Sequence, residues 1–280
     1  MRKGAIFHYA PFILHCLFPE IIQKAYNYST IYRRKNLDST LGNFKNIYEE
    51  VLVNESLEVS EIEFDKIDAP IIDSEFKREY LSKEYFDIFT DWIFRRYAIK
   101  NHEYDSSYPE ILLIKRAAHV DLITDKELKS QLPNPPKDAH LRNIDGSLLV
   151  GQSKEVLDYH FFVTNGKDRR EMDRIDDVEK YLQQRYGDKF QSVYFETLPF
   201  VEQVKHYNNA RLIICVHGGC QINQFFCKPN TKIIEVEANG KKFEMFDHIS
   251  RIQNLDHRKC TENQYDKIID FINTHTSEIV

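Results

Sequence analysis

Short apolar runs alternate with amphipathic stretches along the second half of the chain. ILLIKR and RLIICV are apolar at successive positions, which is typical of strands covered on both faces of a parallel sheet. Between the runs, apolar residues recur three or four positions apart, which predicts helices. The predicted elements after residue 110 are, in order, the strands ILLIKR and HFFVT, the helix IDDVEKYLQQRYG, the strand QSVYFE, the helix PFVEQVKHYNNA, the strand RLIICV, the helix GCQINQFFC, the strand TKIIEVE, and the helices FEMFDHISRIQN and NQYDKIIDFINTH. This alternation predicts an α/β fold with a parallel sheet between helices.

The first hundred residues give a weaker pattern. We predict helices at Pro11–Tyr28 and Glu84–Ile99, and a strand with a turn in YEEVLVNES. The polar segment NHEYDSSYPE is typical of a linker and divides the chain into domains at 1–104 and 105–280. Residues 117–158 contain the proline-rich PNPPKD and are expected to be an insertion. The last predicted helix, NQYDKIIDFINTH, either packs on the second domain or crosses back to the first.

Composition and charge narrow the class of protein. The chain is 42% hydrophobic and 29% charged, and its formal charge of -6 disfavours a general nucleic-acid binder. No window is apolar enough for a transmembrane helix, and the apolar stretch near the N-terminus lacks the features of a signal peptide. We therefore expect no membrane span, and the compartment is left open with the cytoplasm as the default.

The five cysteines do not have the spacing of a disulfide framework. Cys215, Cys220 and Cys227 cluster, but they lack a paired C-x-x-C and a second group of ligands. Buried thiols are favoured over a zinc site, and no metal ion is expected.

The segment VHGGC places candidate chemistry at the end of a buried strand. His217 follows the run RLIICV, and the next helix begins near Gly219. Ligands of open α/β sheets bind at the carboxyl ends of strands, where the first amides of the next helix point outward and attract phosphate. The alternative is that Gly218 and Gly219 only allow the chain to make a tight turn and bind no ligand. The glycines form neither G-x-G-x-x-G nor a G-K-[ST] loop, which disfavours a dehydrogenase or another nucleotide-dependent enzyme.

Charged residues follow other strands of the same predicted sheet. Arg116 ends ILLIKR, and Arg169 and Arg170 lie in the turn after HFFVT. Guanidinium groups offer forked donors that suit a diphosphate. Glu235 ends TKIIEVE, where a carboxylate suits ribose hydroxyls. The alternatives are ordinary surface ion pairs for the arginines and a capping role for Glu235.

Three segments occur together in a fixed order: ILLIKR, then DRREM, then VYFETLPFVEQVKHYNNARLIICVHGGCQINQFFCKPNTKIIEVE. Their order and spacing resemble the family 61 glycosyltransferases (the DUF563-type domain, related to protein O-GlcNAc and xylosyl transferases). In that family an L-L-I-x-R strand precedes an R-R-x-I-x-N turn, an E-Q-V helix, A-x-x-I-I-x-x-H-G-A-x-x-x-N and P-x-x-x-x-I-E. The resemblance covers roughly the C-terminal 60% of the chain.

The resemblance implies a GT-B-like architecture, with two facing Rossmann-like domains that contain parallel sheets, the N-terminal one reduced. It implies transfer of a sugar from a nucleotide-diphosphate sugar to a hydroxyl of a glycan or protein, with inversion and without a metal or other cofactor. A UDP-sugar is the favoured donor. The donor-binding residues that it implies are Arg116, Arg169, Arg170, His217, Gly218, Gly219, Asn223, Glu202, Gln203 and Glu235.

Each of these residues has an implied role. Arginines 116 and 170 contact the donor diphosphate, and the H-G-G segment lines the phosphate loop. Asn223 braces the helix that follows, while Glu202 and Gln203 match the family's E-Q pair near the nucleotide. Glu235 faces the ribose or base.

The chain departs from the family pattern near its N-terminus. Where the family carries an H-F-x-x-D-like stretch, this chain has HYAPFILHCLFPEI. His15 is the predicted general base, because an imidazole suits proton removal near neutral pH. The alternative for this histidine is a satisfied core residue. The alternative for the whole chain is a catalytically inactive glycosyltransferase-like protein that binds nucleotides or serves as a scaffold.

Overall fold

The computed structural model describes residues 9–27, 30–34, 44–52, 58–62, 82–100, 103–116, 120–123, 161–164, 172–195, 198–237 and 244–276. The chain divides into two compact units, one within Met1–Ile93 and Ala118–Asn165, the other within Phe94–Ala117 and Gly166–Val280. The predicted domains 1–104 and 105–280, with an insertion at 117–158, stay a prediction beside this division. The two facing Rossmann-like domains expected above also stay a prediction.

The helices and strands agree with most of the predicted elements. The α-helices are α1 (Tyr9–Phe12), α2 (Phe18–Ala25), α3 (Lys45–Leu52), α4 (Lys83–Arg96), α5 (Ile175–Tyr186), α6 (Phe200–Asn209), α7 (Glu244–Ile252) and α8 (Tyr265–Thr276). The strands are β1 (Thr30–Arg34), β2 (Glu58–Ile62), β3 (Ile111–Lys115), β4 (Val120–Ile123), β5 (Phe161–Thr164), β6 (Phe190–Tyr194), β7 (Leu212–Val216), β8 (Lys232–Val236) and β9 (Asp256–Cys260). A π-helical turn, Ile13–Leu17, joins α1 to α2.

In the first unit, the described residues form helices and two small two-stranded sheets. β1 pairs with β2 in parallel, and β4 pairs with β5 in antiparallel fashion. The helix predicted at Pro11–Tyr28 is confirmed, with its π-helical turn inside it. The strand predicted in YEEVLVNES is wrong, because α3 occupies most of that segment. Tyr48, Val51 and Leu52 are buried three and four positions apart, which is the period of a helix.

The second unit is built on a five-stranded parallel sheet in the order β6-β3-β7-β8-β9. Counted along this unit, the order is 2-1-3-4-5, which is a doubly wound arrangement. The predicted α/β fold with a parallel sheet is therefore confirmed for this unit. β3 and β7 are buried at every position, as their unbroken apolar runs predict.

One core cluster of this unit lies between one face of the sheet and two helices. Ile111, Leu113, Ile214 and the other side chains of that face pack against α5 and α8. Glu235 lies on the opposite face, since Ile234 and Val236 on either side of it belong to this core.

The strand HFFVT was predicted in the same parallel sheet as ILLIKR, and that placement is wrong: it forms β5, which pairs with β4 in antiparallel fashion in the first unit, since a short apolar run does not fix which strand it pairs with. Within the second unit, two further elements differ from their prediction. The segment after the glycines is a 3-10 helix, Gly219–Phe226, rather than an α-helix. The strand β9 was not predicted, because its sequence DHRKC has no apolar run. β9 lies at an edge of the sheet, where a strand does not need an apolar run.

Candidate functional site

Two loops meet at the position where the strand order of the sheet reverses. β3 and β7 are neighbours, yet β3 connects onward toward β6 and β7 toward β8, so their connections leave on opposite sides. Ligands of doubly wound sheets bind outside the carboxyl ends of the strands at such a switch point. Arg116 follows β3 directly, and His217 with Gly218 follows β7. The predicted clustering of these residues is therefore consistent with the register of the sheet.

Arg116 lies against Gly218 and has an unpaired charged group. A Cβ atom built on Gly218 would lie 3.3 Å from Arg116 Nη1, so the glycine lets the guanidinium approach the backbone closely. Nη1 is buried and has no hydrogen-bond partner in the described part of the chain. Its neighbour Lys115 is paired, with Glu179 at 2.7 Å and Asp176 at 3.3 Å. A buried guanidinium nitrogen without a partner is costly, and an anion would satisfy it.

The loop after β7 also presents backbone donors. The His217 amide donates to Val236 O at 3.1 Å, which ties the loop to the end of β8. The first amides of the 3-10 helix that begins at Gly219 have no acceptor within the helix, and such amides favour anions. Gln221 is fully buried in this helix, and its Nε2 has no partner among the described residues.

A chain of buried polar side chains supports His217. One carboxylate oxygen of Glu235 accepts a hydrogen bond from His217 Nδ1, and the other lies 2.8 Å from His257 Nε2. Burial acts to raise the pKa of Glu235, but the hydrogen bonds from His217 and His257 outweigh it and hold the pKa at about 2, below the ordinary 4.5. Only 1% of Glu235 is exposed, so the carboxylate contacts imidazoles and has no open face for a ribose.

The chain continues beyond His257 to helix α7. Ser250 Oγ lies 3.0 Å from His257 Nδ1 and 2.6 Å from Gln224 Oε1. Asp247 Oδ1 is 3.4 Å from the same Nδ1, and Lys259 Nζ binds Asp247 Oδ2 at 2.7 Å. Sequence reasoning missed His257. It is paired in register with Ile233, two residues before Glu235, and only that pairing places it beside the carboxylate.

Gln203 and Asn223 form a second brace. Asn223 Nδ2 donates to Gln203 Oε1 at 3.2 Å, and Gln203 Nε2 donates to the carbonyl oxygens of Phe195 and Leu198 at 3.0 and 3.1 Å. Both side chains are buried. These bonds hold the loop after β6 against the 3-10 helix, and they bring together two residues that the sequence pattern singled out.

Glu202 lies apart from this brace. It accepts a hydrogen bond from Tyr108 OH at 2.7 Å and forms an ion pair with Lys205 at 3.1 Å. Burial acts to raise the pKa of Glu202, but these two bonds lower it below its ordinary value. The described contacts of Glu202 are thus with its own helix and the segment before β3.

Three predicted residues fall outside what the structure describes. Arg169 and Arg170 are not among the described residues. His15 lies within the π-helical turn Ile13–Leu17, but its side chain is not described. Their predicted roles stay predictions.

A surface cavity of about 660 Å³ lies at the start of α5. Helices that join parallel strands run back across the sheet, so this helix begins at the same carboxyl edge. The charged side chains that line it have partners: Asp177 pairs with Arg174 at 2.8 Å and with Lys180 at 3.5 Å, Asp176 pairs with Lys115 at 3.3 Å, and Asp173 accepts from the Tyr265 amide at 2.9 Å. The cavity therefore lacks the unpaired charge found at Arg116.

The described residues contain no group of three or more His, Cys, Asp and Glu side chains arranged to hold a metal ion. All five cysteines are free thiols, and Cys220 is the most exposed of them. No helix in the described ranges has the length and apolar character needed to cross a membrane.

In a comparison with protein families, residues 13–234 match the family model described as Glycosyltransferase 61. The match begins well before the segments on which the sequence resemblance rested. It stops one residue before Glu235, so neither Glu235 nor His257 lies within it. A comparison with curated proteins found no match.

Proposed function

Because the chain belongs to the glycosyltransferase 61 family and is thereby a glycosyltransferase, we propose that it transfers a sugar from a nucleotide-diphosphate sugar to a hydroxyl of a glycan or protein. A UDP-sugar is the proposed donor. The observation that carries this proposal is the unpaired, buried Nη1 of Arg116 against Gly218 at the switch point of the sheet.

The donor diphosphate is proposed to bind between Arg116 and the loop that contains His217, Gly218 and Gly219. When the bond to the sugar breaks, negative charge accumulates on the leaving diphosphate, and donors fixed in advance stabilise it. Arg116 supplies a charge, and the first amides of the 3-10 helix supply oriented dipoles. Arg169 and Arg170 are proposed to add further charge.

The residues behind this loop are proposed to hold it in place. Asn223 and Gln203 fix the 3-10 helix through their hydrogen bond. We assign Glu235 to His217 rather than to the ribose, because it is buried and both of its oxygens bind imidazoles. Glu202 is proposed to lie near the nucleotide, as the family's E-Q pair implies.

The reaction is proposed to invert the anomeric carbon without a metal ion. The acceptor oxygen forms a bond to that carbon as the bond to the diphosphate breaks, and the acceptor proton passes to His15. Without a metal ion, the proposed arginines and the first amides of the 3-10 helix stabilise the negative charge on the leaving diphosphate.

A panel of UDP- and GDP-sugars, assayed for binding and for transfer with and without EDTA, tests this proposal. We expect one donor class to bind and react, with turnover unchanged by EDTA and inverted product stereochemistry. Absence of both binding and turnover with every donor would contradict the proposal. Binding without transfer would support the inactive alternative. Loss of turnover on EDTA treatment would contradict only the metal independence, and the rest of the proposal would stand.

The base is tested by His15→Ala. We expect turnover to fall by about 10²–10⁴-fold, the usual contribution of a general base, while donor affinity stays the same. The matched control is His275→Ala in α8, whose Nδ1 bonds only within its own helix to Phe271 O at 2.8 Å. Equal turnover in both variants would remove His15 from the mechanism.

A further inference from the structure

Lys115, the last residue of β3, is held by the first two turns of α5. Its Nζ lies 2.7 Å from Glu179 Oε2 and 3.3 Å from Asp176 Oδ1, and it is 5.1 Å from the centre of the Tyr194 ring. Burial acts to lower the pKa of Lys115, but hydrogen bonds with these three partners outweigh it and raise the pKa above the ordinary 10.5. The side chain is 11% exposed, so a charged and mostly buried group joins the end of β3 to the start of α5.

The strands beside β3 do not hold its last residues from both sides. β3 pairs with β6 up to Lys115, but its pairing with β7 ends one residue earlier, at Ile114. Arg116 lies beyond both pairings, and a Cβ atom on Gly218 would lie only 3.3 Å from its Nη1. The guanidinium therefore fits closely against the loop after β7, and its position depends on how the end of β3 is held.

The side chain of Lys115 is directed away from that loop. It lies on the same face of β3 as Ile111 and Leu113, which pack against α5 and α8. Arg116, the next residue, reaches Gly218 instead. Because its ammonium group is engaged by carboxylates on the α5 side, Lys115 is suited to hold the backbone and not to contact the donor.

We infer that Lys115 is a positioning residue of the donor site, which fixes the end of β3 to α5 and thereby holds Arg116 against Gly218. The family pattern L-L-I-x-R leaves this position unassigned. The inference rests on the proposed function, because Lys115 acts on the donor diphosphate only through Arg116. Breaking the link to α5 should therefore weaken donor binding although Lys115 itself touches no part of the donor.

The first test is a double-mutant cycle that measures UDP affinity by calorimetry. Lys115→Met removes the charge of a long side chain and is expected to lower UDP affinity by about three- to tenfold, because small displacements of a binding group are costly. In the Arg116→Ala background the same substitution is expected to have no effect, since the group that it positions is gone. Lys115→Arg is expected to keep most of the wild-type affinity, because a guanidinium pairs with the same carboxylates.

The matched control is Lys232→Met at the other end of the sheet. The side chain of Lys232 is 15% exposed and lies 3.7 Å from Asp256 on the next strand, so this variant is expected to lose stability but no UDP affinity. Glu179→Ala breaks the link to Lys115 from the side of α5 and decides the question if Lys115→Met does not fold. An equal loss of affinity with and without Arg116, or in both lysine variants, would overturn the inference.

The second test needs no ligand. In ¹⁵N-labelled protein, the Nε–H signal of Arg116 is the one that Arg116→Ala lacks. Lys115→Met and Glu179→Ala are expected to shift or broaden this signal, whereas Lys232→Met is expected to leave it in place. An unchanged signal in the first two variants would overturn the inference. Absence of UDP binding in the wild type would contradict the proposed function and leave this measurement to decide whether Lys115 positions Arg116.

Discussion

The five-stranded sheet has an amino edge, where its parallel strands begin, and a carboxyl edge, where they end. Polar side chains make different kinds of hydrogen bond at these two edges. At the amino edge, the buried side chains of Lys228 and Thr231 bond to the backbone: Lys228 Nζ donates to Asn208 O at 2.6 Å, and Thr231 Oγ1 donates to Lys228 O at 2.8 Å. The ion pair of Arg211 with Glu110 at this edge is partly exposed.

At the carboxyl edge, titratable side chains bond to each other, as His217, Glu235 and His257 do. Each edge has a buried polar atom without a partner in the described ranges. At the carboxyl edge it is the charged Nη1 of Arg116, and at the amino edge it is the neutral acceptor Oδ1 of Asn208.

Under the proposed function, this difference separates residues that stabilise the sheet from residues that bind the donor. Bonds from side chains to backbone, such as those of Lys228 and Thr231, fix the loop that precedes β8. A network of charged side chains in a buried setting responds to any added charge, because the low dielectric strengthens each interaction. The same architecture therefore has one edge that stabilises loops and one edge suited to bind an anion. The following variants test that division, from the largest expected effect to the smallest.

The largest effect is expected for Arg116→Ala. Removing a charged donor from the diphosphate should lower UDP affinity by about 10- to 100-fold, while the melting temperature changes little, since Nη1 has no described partner to lose. Calorimetry and thermal unfolding measure the two quantities. The control is Arg211→Ala at the amino edge, whose ion pair with Glu110 spans 3.4 Å, and its UDP affinity should equal that of the wild type. Equal losses at both arginines would break the comparison.

Glu235→Gln is expected to change the dependence of stability on pH. The folded pKa of about 2 is below the ordinary 4.5, so the carboxylate stabilises the fold fully above about pH 4.5 and loses this contribution as the pH falls toward 2. The variant should be less stable by about 2 kcal/mol at pH 7, and the gap should narrow at acid pH. Urea unfolding from pH 7 to pH 3 measures this.

Glu110→Gln is the control for that titration. Its carboxylate at the amino edge pairs with an arginine whose side chain is 54% exposed, so the change should stay within about 0.5 kcal/mol at every pH. A gap between wild type and Glu235→Gln that is the same at pH 3 and pH 7 would argue against the charged state of Glu235.

Thr231→Val tests the amino edge directly. The hydroxyl of this buried residue bonds to Lys228 O and, at 3.3 Å, to Ala210 O, so its loss should cost about 1 kcal/mol of unfolding free energy. UDP affinity should not change. Thr274→Val, on the exposed face of α8, removes a similar bond to Asp270 O and should cost less. Weaker UDP binding in Thr231→Val would show that the edges are coupled.

Two glycines give the smallest and sharpest contrast. Gly187 has φ +56°, in the left-handed region, with no atom near a Cβ, so Gly187→Ala should lose about 1 kcal/mol of stability and no UDP affinity. Gly218 has extended backbone that any residue adopts, but a Cβ there would displace Arg116 Nη1 by a few tenths of an ångström. Gly218→Ala should therefore lower UDP affinity by about threefold while stability changes less. Reversed effects would reject the assigned role of Gly218.

The sequence by itself determined the α/β character of the second unit and the family. Apolar runs such as ILLIK and LIICV require burial on both faces, which a parallel sheet between helices provides. The predicted helix IDDVEKYLQQRYG ends at a glycine, and the structure places that residue, Gly187, at the C-cap of α5 with a positive φ, which glycine adopts at little cost. Where a segment is amphipathic but short, as in YEEVLVNES, the periodicity was ambiguous and the prediction failed.

Only the tertiary structure decided which side chains meet. The strand order placed Arg116 beside Gly218, although a hundred residues separate them, because β3 and β7 are neighbours at the switch point. It also moved Glu235 from an expected ribose contact to a buried partner of two histidines, one of them on a polar strand with no sequence signal. Periodicity reports the face on which a residue lies, but the neighbour across a strand depends on register between distant segments, which a single sequence does not contain.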